Sequence, residues 1–169
     1  MLTKINIGKI ITDHFATLKD ADSKKISRGD FFLFILLPLL FSSVIVMVFC
    51  IFLTESLVNI LITCLSIFVG LLLNLLVIIF DIINKLKTEN SKDQLKKLFL
   101  KEIYANISFC ILISIVNIGF LVVTFSGIYF VKLSANVLSV AILMLFGLTL
   151  LMILKRVHIL LSNEFKNEG

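Results

Sequence analysis

Four long apolar runs dominate the pattern of hydrophobic and polar positions along this chain. They cover 31–53, 57–80, 107–131 and 137–154, and none of them contains a charged residue or a histidine. Helices of about 20 apolar residues cross a hydrocarbon core of roughly 30 Å. The runs do not alternate between polar and apolar side chains as the strands of a membrane barrel do. The pattern therefore predicts an all-α polytopic membrane protein with four transmembrane helices.

The helical pattern continues beyond these spans into the polar parts of the chain. The insert 81–106 and the tail 155–169 carry apolar residues at helical spacing, and only the polar residues 88–91 interrupt the insert. The second span is therefore predicted to continue to about Lys87, and the third to begin near Lys92. We expect these helical extensions to lie in the cytosol and to form a collar beneath the transmembrane domain, 31–169.

Residues 1–30 are predicted to form a cytosolic arm with an amphipathic helix from about Ile5 to Lys19. Its lysines favour a position on anionic lipid, and its apolar face equally favours packing on the cytosolic end of the bundle. The adjacent Asp13 and His14 are interpreted as a solvated or interfacial pair. Asp30 is interpreted as the N-cap of the first span.

An apolar face at the cytosolic end is the expected contact surface for a partner protein. Leu95, Phe99 and Ile103 recur every four residues along the insert and share one helix face. His14 and Phe15 of the arm are the other candidate contact residues. A cytosolic protein is the predicted partner of this surface.

Two short connections are predicted on the opposite side of the membrane. Residues 54–56 separate the first two spans, which are therefore expected to be antiparallel neighbours, and residues 132–136 separate the last two. Pro38, the only proline, lies inside the first span and predicts a kink there. It is a candidate hinge, with a static kink as the favoured interpretation.

The basic residues predict the orientation of the chain. Of 16 lysines and arginines, all but Lys132 fall in the arm, the insert or the tail. Cytoplasmic loops carry an excess of these residues, so both termini are predicted to be cytoplasmic in a bacterial inner membrane. The net charge of +5 is explained by topology and by contact with anionic headgroups. Direct binding of nucleic acid is not expected, because no aromatic and basic platform accompanies the charge.

The two central spans each carry a stripe of polar and small residues on one helix face. The stripes consist of Asn59, Thr63, Ser66, Gly70 and Asn74 in the second span and of Asn106, Cys110, Ser114, Asn117 and Thr124 in the third. Asn74, Asn117, Ser66, Gly70 and Ser114 are candidates either for a close-packed seam between the spans or for a hydrated pore in an oligomer. The seam is the favoured interpretation, with interhelical hydrogen bonds of about 1 kcal/mol each.

Composition and the content of the spans argue against an enzyme or an ion-coupled transporter. The chain is 59% hydrophobic and 16% charged, which lies outside the usage of soluble proteins. Pumps and intramembrane enzymes rely on ionisable residues inside their spans, and these spans have none. The cysteines, Cys50, Cys64 and Cys110, are interpreted as packing residues. No catalytic, cofactor-binding or metal-binding residue is predicted, and no cofactor.

One passage, DHFATLKDADSKKISRGDFFLFILLPLL at 13–40, resembles the opening of small bacterial membrane proteins from anti-phage defence loci. In those proteins an HF-x-TL helix, a Lys/Ser-rich linker and an aspartate precede an LPL span. The matching residues are His14, Phe15, Thr17, Leu18, Lys25, Ser27, Asp30 and Leu37–Pro38–Leu39. The resemblance implies a membrane-disrupting effector, or the membrane partner of a cytosolic protein as in the Kiwa-type system.

The expected function is therefore anti-phage defence at the inner membrane. In this hypothesis the chain forms a homo-oligomer that perturbs the lipid bilayer when a cytosolic signal reaches the arm and the collar. A second hypothesis is a membrane scaffold that recruits a cytosolic partner protein. A third is a small-solute transporter in which the two polar stripes line the pathway.

Overall fold

A computed structural model describes residues 6–18, 29, 32–49, 52–88 and 94–167 of the chain. All regular structure in these ranges is helical, and they contain no strand. The helices are α1 (Ile7–Thr17), α2 (Phe32–Val48), α3 (Glu55–Thr88), α4 (Gln94–Val123) and α5 (Tyr129–Asn167). The prediction of an all-α protein is confirmed. The proposed N-cap Asp30 and most of the turn predicted at 88–91 lie outside the described residues.

The three longest helices, α3, α4 and α5, are long and apolar enough to cross a membrane. The qualifying segments are Glu55–Leu86, Lys96–Val123 and Tyr129–Ser162. This combination is typical of a membrane protein. α3 ends at Thr88 and α4 begins at Gln94, close to the predicted helix ends at Lys87 and Lys92.

α2 is a shorter apolar helix with a mixed backbone. Its α-helical centre, Leu37–Ser43, lies between two π-helical segments, Phe32–Leu36 and Val44–Val48. Pro38 is in the first turn of the α-helical centre, where its missing N–H group is tolerated. The departure from α-helical geometry thus occurs next to the proline, where the sequence predicts a kink.

α4 is the central helix of the fold. It packs against α3 and against α5, and α1 lies across its N-terminal part. α2 packs on α5 and makes no helix–helix contact with α3 within the described residues. The prediction that the first two spans are neighbours is therefore wrong.

The buried amide of Asn136 on α5 explains the position of α2. Its Oδ1 atom accepts a hydrogen bond of 2.9 Å from the backbone N–H of Leu53, in the link that follows α2. Its Nδ2 atom donates to the carbonyl of Lys132 at 2.8 Å, and the residue is fully buried. The first bond attaches the α2–α3 link to the start of α5, and the second, within α5, orients the amide, so α2 packs along α5 and not along α3.

The connection between α4 and α5 lies earlier in the chain than predicted. α4 ends at Val123 and α5 begins at Tyr129, so residues 132–136 are helical and are not the link. The hydroxyl of Thr124 donates to the carbonyl of Leu121 at 2.6 Å, which competes with continuation of the helix. Ser126 and Gly127 follow, whereas residues 132–136 contain no comparable helix breaker.

α3 contributes to the core through every seventh residue. Val58, Leu65, Leu72, Ile79 and Leu86 are each at most 8% exposed. A seven-residue apolar period is typical of helices that pair with a left-handed twist. The side of α3 opposite to these residues is exposed.

The Asn136 contact predicts a measurable loss of stability. Asn136→Ala should lower the free energy of unfolding by about 1–3 kcal/mol, because the N–H of Leu53 loses its acceptor. Thermal unfolding of the purified chain in detergent measures this, with Ser134→Ala, at an exposed position two residues earlier in α5, as the control. Equal unfolding midpoints for the two variants would contradict this assignment.

Candidate functional site

α1 folds back onto the helical bundle, which decides between the two alternatives open for the arm. Asn6 caps the helix by accepting the N–H of Lys9 at 3.0 Å. His14 and Leu18 are buried against the bundle. Ile7 and Ile11 are exposed on another side of the helix. The observed α1 is shorter than the predicted helix by about two residues at each end.

His14 is the centre of the contact between α1 and α4. It is fully buried, and its ring stacks on Phe109 with a centroid distance of 3.7 Å and an interplanar angle of 3°. Its Nδ1 atom lies 2.8 Å from Oδ1 of Asn106, which can only accept, so Nδ1 carries the hydrogen. Phe34 of α2 approaches the same ring edge-to-face. The interpretation of His14 as half of a solvated pair with Asp13 is therefore wrong.

Arg156 connects the end of α1 to α4 and α5. Its guanidinium group donates to the carbonyl of Thr17 at 2.8 Å and lies 3.4 Å from the carboxylate of Glu102. The hydroxyl of Thr17 lies 3.0 Å from Oδ1 of Asn106. A cation at the C-terminus of α1 also interacts favourably with the helix dipole. We call His14, Thr17, Glu102, Asn106 and Arg156 the docking cluster.

The docking cluster keeps His14 uncharged. The pKa of His14 is lowered to about 4, chiefly because burial disfavours the imidazolium ion. The cation of Arg156 acts in the same direction, and the hydrogen bond to Asn106 opposes it. The charged groups at the contact of α1 with the bundle are Asp13 and Lys9 on α1, Lys101 and Glu102 on α4, and Arg156 on α5, of which Arg156 acts on His14.

Three buried polar atoms of the docking cluster form no hydrogen bond in the described part of the chain. They are Nε2 of His14, Nδ2 of Asn106 and Nη1 of Arg156, the last of which lies 3.4 Å from the Glu102 carboxylate as an ion pair. An unsatisfied buried polar group costs about 1–3 kcal/mol. The contact of α1 with the bundle is thus weakened by polar groups that water would satisfy if α1 moved away.

The two polar stripes do not face each other. On α4 the stripe is buried, with Asn117 and Ser114 each 1% exposed, and the Oδ1 atom of Asn117 has no partner among the described residues. On α3 the whole stripe is exposed. The seam in which asparagines of the two spans bond across is therefore not formed. Ser66 instead donates to the carbonyl of Ile62 in its own helix, at 2.8 Å.

The candidate partner-binding residues are placed unequally. Phe15 and Phe99 are half-buried, whereas His14 and Ile103 are fully buried in the fold and unavailable to a partner in this conformation. The side chain of Leu95 lies outside the described residues. The prediction that these residues bind a cytosolic protein stays a prediction.

Sequence reasoning missed Arg156, Glu102 and Asn136. The sequence places Arg156 directly after Lys155 at the end of an apolar run, where both read as topology-setting charges. The only sequence signal for its role is that the residue is an arginine, because its five N–H donors can bind several acceptors at once. Asn136 was not predicted as a structural residue, because residues 132–136 were expected to form the link between the last two spans.

The docking cluster has no composition that suggests a reaction. No group of three His, Cys, Asp or Glu side chains within the described ranges could hold a metal ion. Comparison with protein-family models, with curated proteins and with solved structures found no match for this chain. The arrangement holds α1 against α4 and α5.

The lowered pKa of His14 predicts that α1 docking weakens in acid. The free imidazole has a pKa near 6.5 and the docked one a pKa of about 4. Above pH 6.5 both states are neutral and docking is at full strength. Between pH 6.5 and 4 only the undocked state is protonated, so docking weakens by up to about 1.4 kcal/mol per pH unit. Below pH 4 the loss is complete.

A spin label on Thr12→Cys reports this change, in a chain whose three cysteines are replaced by alanine. Thr12 is exposed on α1, and its label should become more mobile as the pH falls from 6.5 to 4. His14→Gln should abolish the pH dependence, whereas His158→Gln, at an exposed histidine on α5, should leave it unchanged. A pH dependence that survives His14→Gln would refute the assignment.

Proposed function

We propose that this chain is a bacterial inner-membrane protein of anti-phage defence that assembles into oligomers and perturbs the membrane when α1 is released. In this proposal α2 to α5 are four spans and both termini are cytoplasmic. The distribution of lysine and arginine supports the orientation. The resemblance of residues 13–40 to membrane proteins of defence loci supports the biological setting.

The observation that carries the proposal is the exposed polar face of α3. We define the α3 polar face as Asn59, Thr63, Ser66, Gly70 and Asn74, all of which are exposed. Asn74 lies between apolar residues on both sides, seven residues before the first charge at Asp81. Its side chain has no hydrogen-bond partner within the described residues. In hydrocarbon such an amide is unfavourable unless another polar group covers it.

A second copy of the chain supplies the missing polar groups. An amide donates and accepts, so Asn74 of one copy is complementary to Asn74 of another. Gly70, one turn away, leaves a notch, because a Cβ atom added there meets no atom within 4 Å. With Ser66 it forms the small-xxx-small spacing that allows close approach of two transmembrane helices. Copies that meet along this face place their asparagines at the centre of the assembly.

The same face gives the assembly a way to act on the membrane. Asn59, Thr63 and Asn74 turned towards a common axis would support a polar path through the hydrocarbon. The buried stripe of α4 does not contribute to this path. Asn117 is therefore reassigned from the candidate pore to the packing between helices.

α1 is the element on which a cytosolic signal acts in this proposal. It contacts α4 through Asn106 and α5 through Arg156, beside the ion pair of Glu102 and Arg156 that joins α4 and α5 directly. Release of α1 frees these helices to change their packing, which alters the position of α3 on α4. A ligand or partner that binds only the released arm would shift the population by its difference in affinity for the two states.

Gly70→Leu tests the assembly. The substitution should fit the isolated chain and block close approach of a second copy, so the oligomer should dissociate and induced depolarisation should be lost. Gly119→Leu is a matched control, because Gly119 is also exposed on a long helix with no atom within 4 Å of an added Cβ. Light scattering in detergent and a potential-sensitive dye in cells give the two measurements. An intact oligomer with Gly70→Leu would refute the proposed interface.

Arg156→Gln tests the role of α1. Loss of the cation should weaken docking by about 1.5–3 kcal/mol, because the Thr17 carbonyl loses a charged hydrogen-bond donor. Depolarisation should then follow expression alone, without infection. Lys155→Gln removes a neighbouring exposed charge and should have neither effect. If both variants behave alike, α1 release is not the trigger.

A further inference from the structure

A polar groove separates α1 from α4 beside the docking cluster. It has a volume of about 410 Å³. Its charged and polar lining comes from Lys9, Asp13 and Thr17 on α1 and from Lys101, Glu102 and Tyr104 on α4. The groove lies at the end of the apolar part of α4, because Glu102 is the last charged residue before the charge-free stretch that continues to Lys132.

The two lysines of the groove are free to bind an anion. Neither the ammonium group of Lys9 nor that of Lys101 forms an ion pair within the described part of the chain. Of the two carboxylates, Glu102 is already paired with Arg156. When the Glu102–Arg156 ion pair is counted as neutral, the groove carries two unpaired cations, Lys9 and Lys101, and one unpaired anion, Asp13. A phosphate group is an anion of suitable size and charge for such a site.

The surface below the groove favours a lipid as the source of the phosphate. From Lys101, the same face of α4 continues through Tyr104 and Leu112 to Ile115 and Val122, at steps of three, eight, three and seven residues. Tyr104, Ile115 and Val122 are exposed, and Leu112 is half-buried. Tyrosine is enriched at the level of lipid headgroups, and the apolar residues beyond it offer a path for an acyl chain.

We propose that this groove binds the phosphate group of an anionic phospholipid, with Lys9 and Lys101 as the phosphate ligands. Such a lipid contacts α1 and α4 together and so stabilises the docked position of the arm. The site is separate from the α3 polar face, so its failure would leave the proposed assembly untouched. Basic pockets beside transmembrane helices on the cytoplasmic side bind anionic headgroups by the same chemistry.

Lipid titration of purified protein tests the site. The full chain in dodecyl maltoside, which contains no phosphate, is titrated with phosphatidylglycerol, and the upward shift of the unfolding temperature gives the apparent affinity. The double variant Lys9→Gln/Lys101→Gln should bind about 30-fold more weakly, since two lysines contribute about 2 kcal/mol together. The control Lys85→Gln/Lys155→Gln removes equal charge from exposed positions outside the groove and should bind as the unaltered chain does.

Two further experiments identify the anion and its source. Asp13→Asn should strengthen binding, because it removes the unpaired negative charge of the groove. Competition with inorganic phosphate and with glycerol 3-phosphate separates a soluble phosphate ligand, which would displace the lipid, from a lipid that needs its acyl chains. Undiminished binding to Lys9→Gln/Lys101→Gln, equal weakening of both double variants, or weaker binding to Asp13→Asn would each overturn the proposal.

Discussion

Polar groups within the long apolar helices must find hydrogen-bond partners in the protein, and that constraint determines how the helices pack. The hydroxyl groups within the long helices meet it locally. Ser66, Ser114 and Thr149 each donate to a carbonyl four residues earlier in the same helix, at 2.8 Å. Amides cannot be satisfied in this way alone, so asparagines connect elements. Asn136 attaches the α2–α3 link to α5, and Asn106 attaches α1 to α4.

The docking of α1 combines favourable and unfavourable contributions to its free energy at one contact. The stacking of His14 on Phe109 and the hydrogen bonds of Arg156 favour it. The unpartnered polar atoms and the desolvated histidine oppose it. The net contact is therefore specific in geometry and modest in strength. It differs in this respect from the apolar core between α3, α4 and α5, in which close van der Waals packing provides the stabilisation.

Sequence periodicity predicted the helices well and their neighbours poorly. The long apolar runs and their extensions required only hydropathy and the absence of helix breakers, so the end of α3 and the start of α4 were predicted to within about two residues. The end of α4 was predicted less well, because the apolar run continues to Val131 and the helix ends at Val123. Helix pairing depends instead on single polar contacts over long sequence distances. The one between Leu53 and Asn136 joins residues 83 apart and leaves no periodic signal. For the same reason the role of Arg156 was not predicted, and the polar stripe of α3 was interpreted as a seam with α4.

The placement of α2 on α5 has a consequence for biogenesis. A chain inserted in order of synthesis delivers α2 to the bilayer well before the helix against which it packs. At about 5–20 residues per second, the 83 residues between Leu53 and Asn136 take about 4–17 s to synthesise. Asn106 is also synthesised long after His14, and Arg156 is synthesised 139 residues after Thr17, so neither contact can form early. The α3–α4 pair is therefore the first unit able to form, and the N-terminal third of the protein is the last to take its native place.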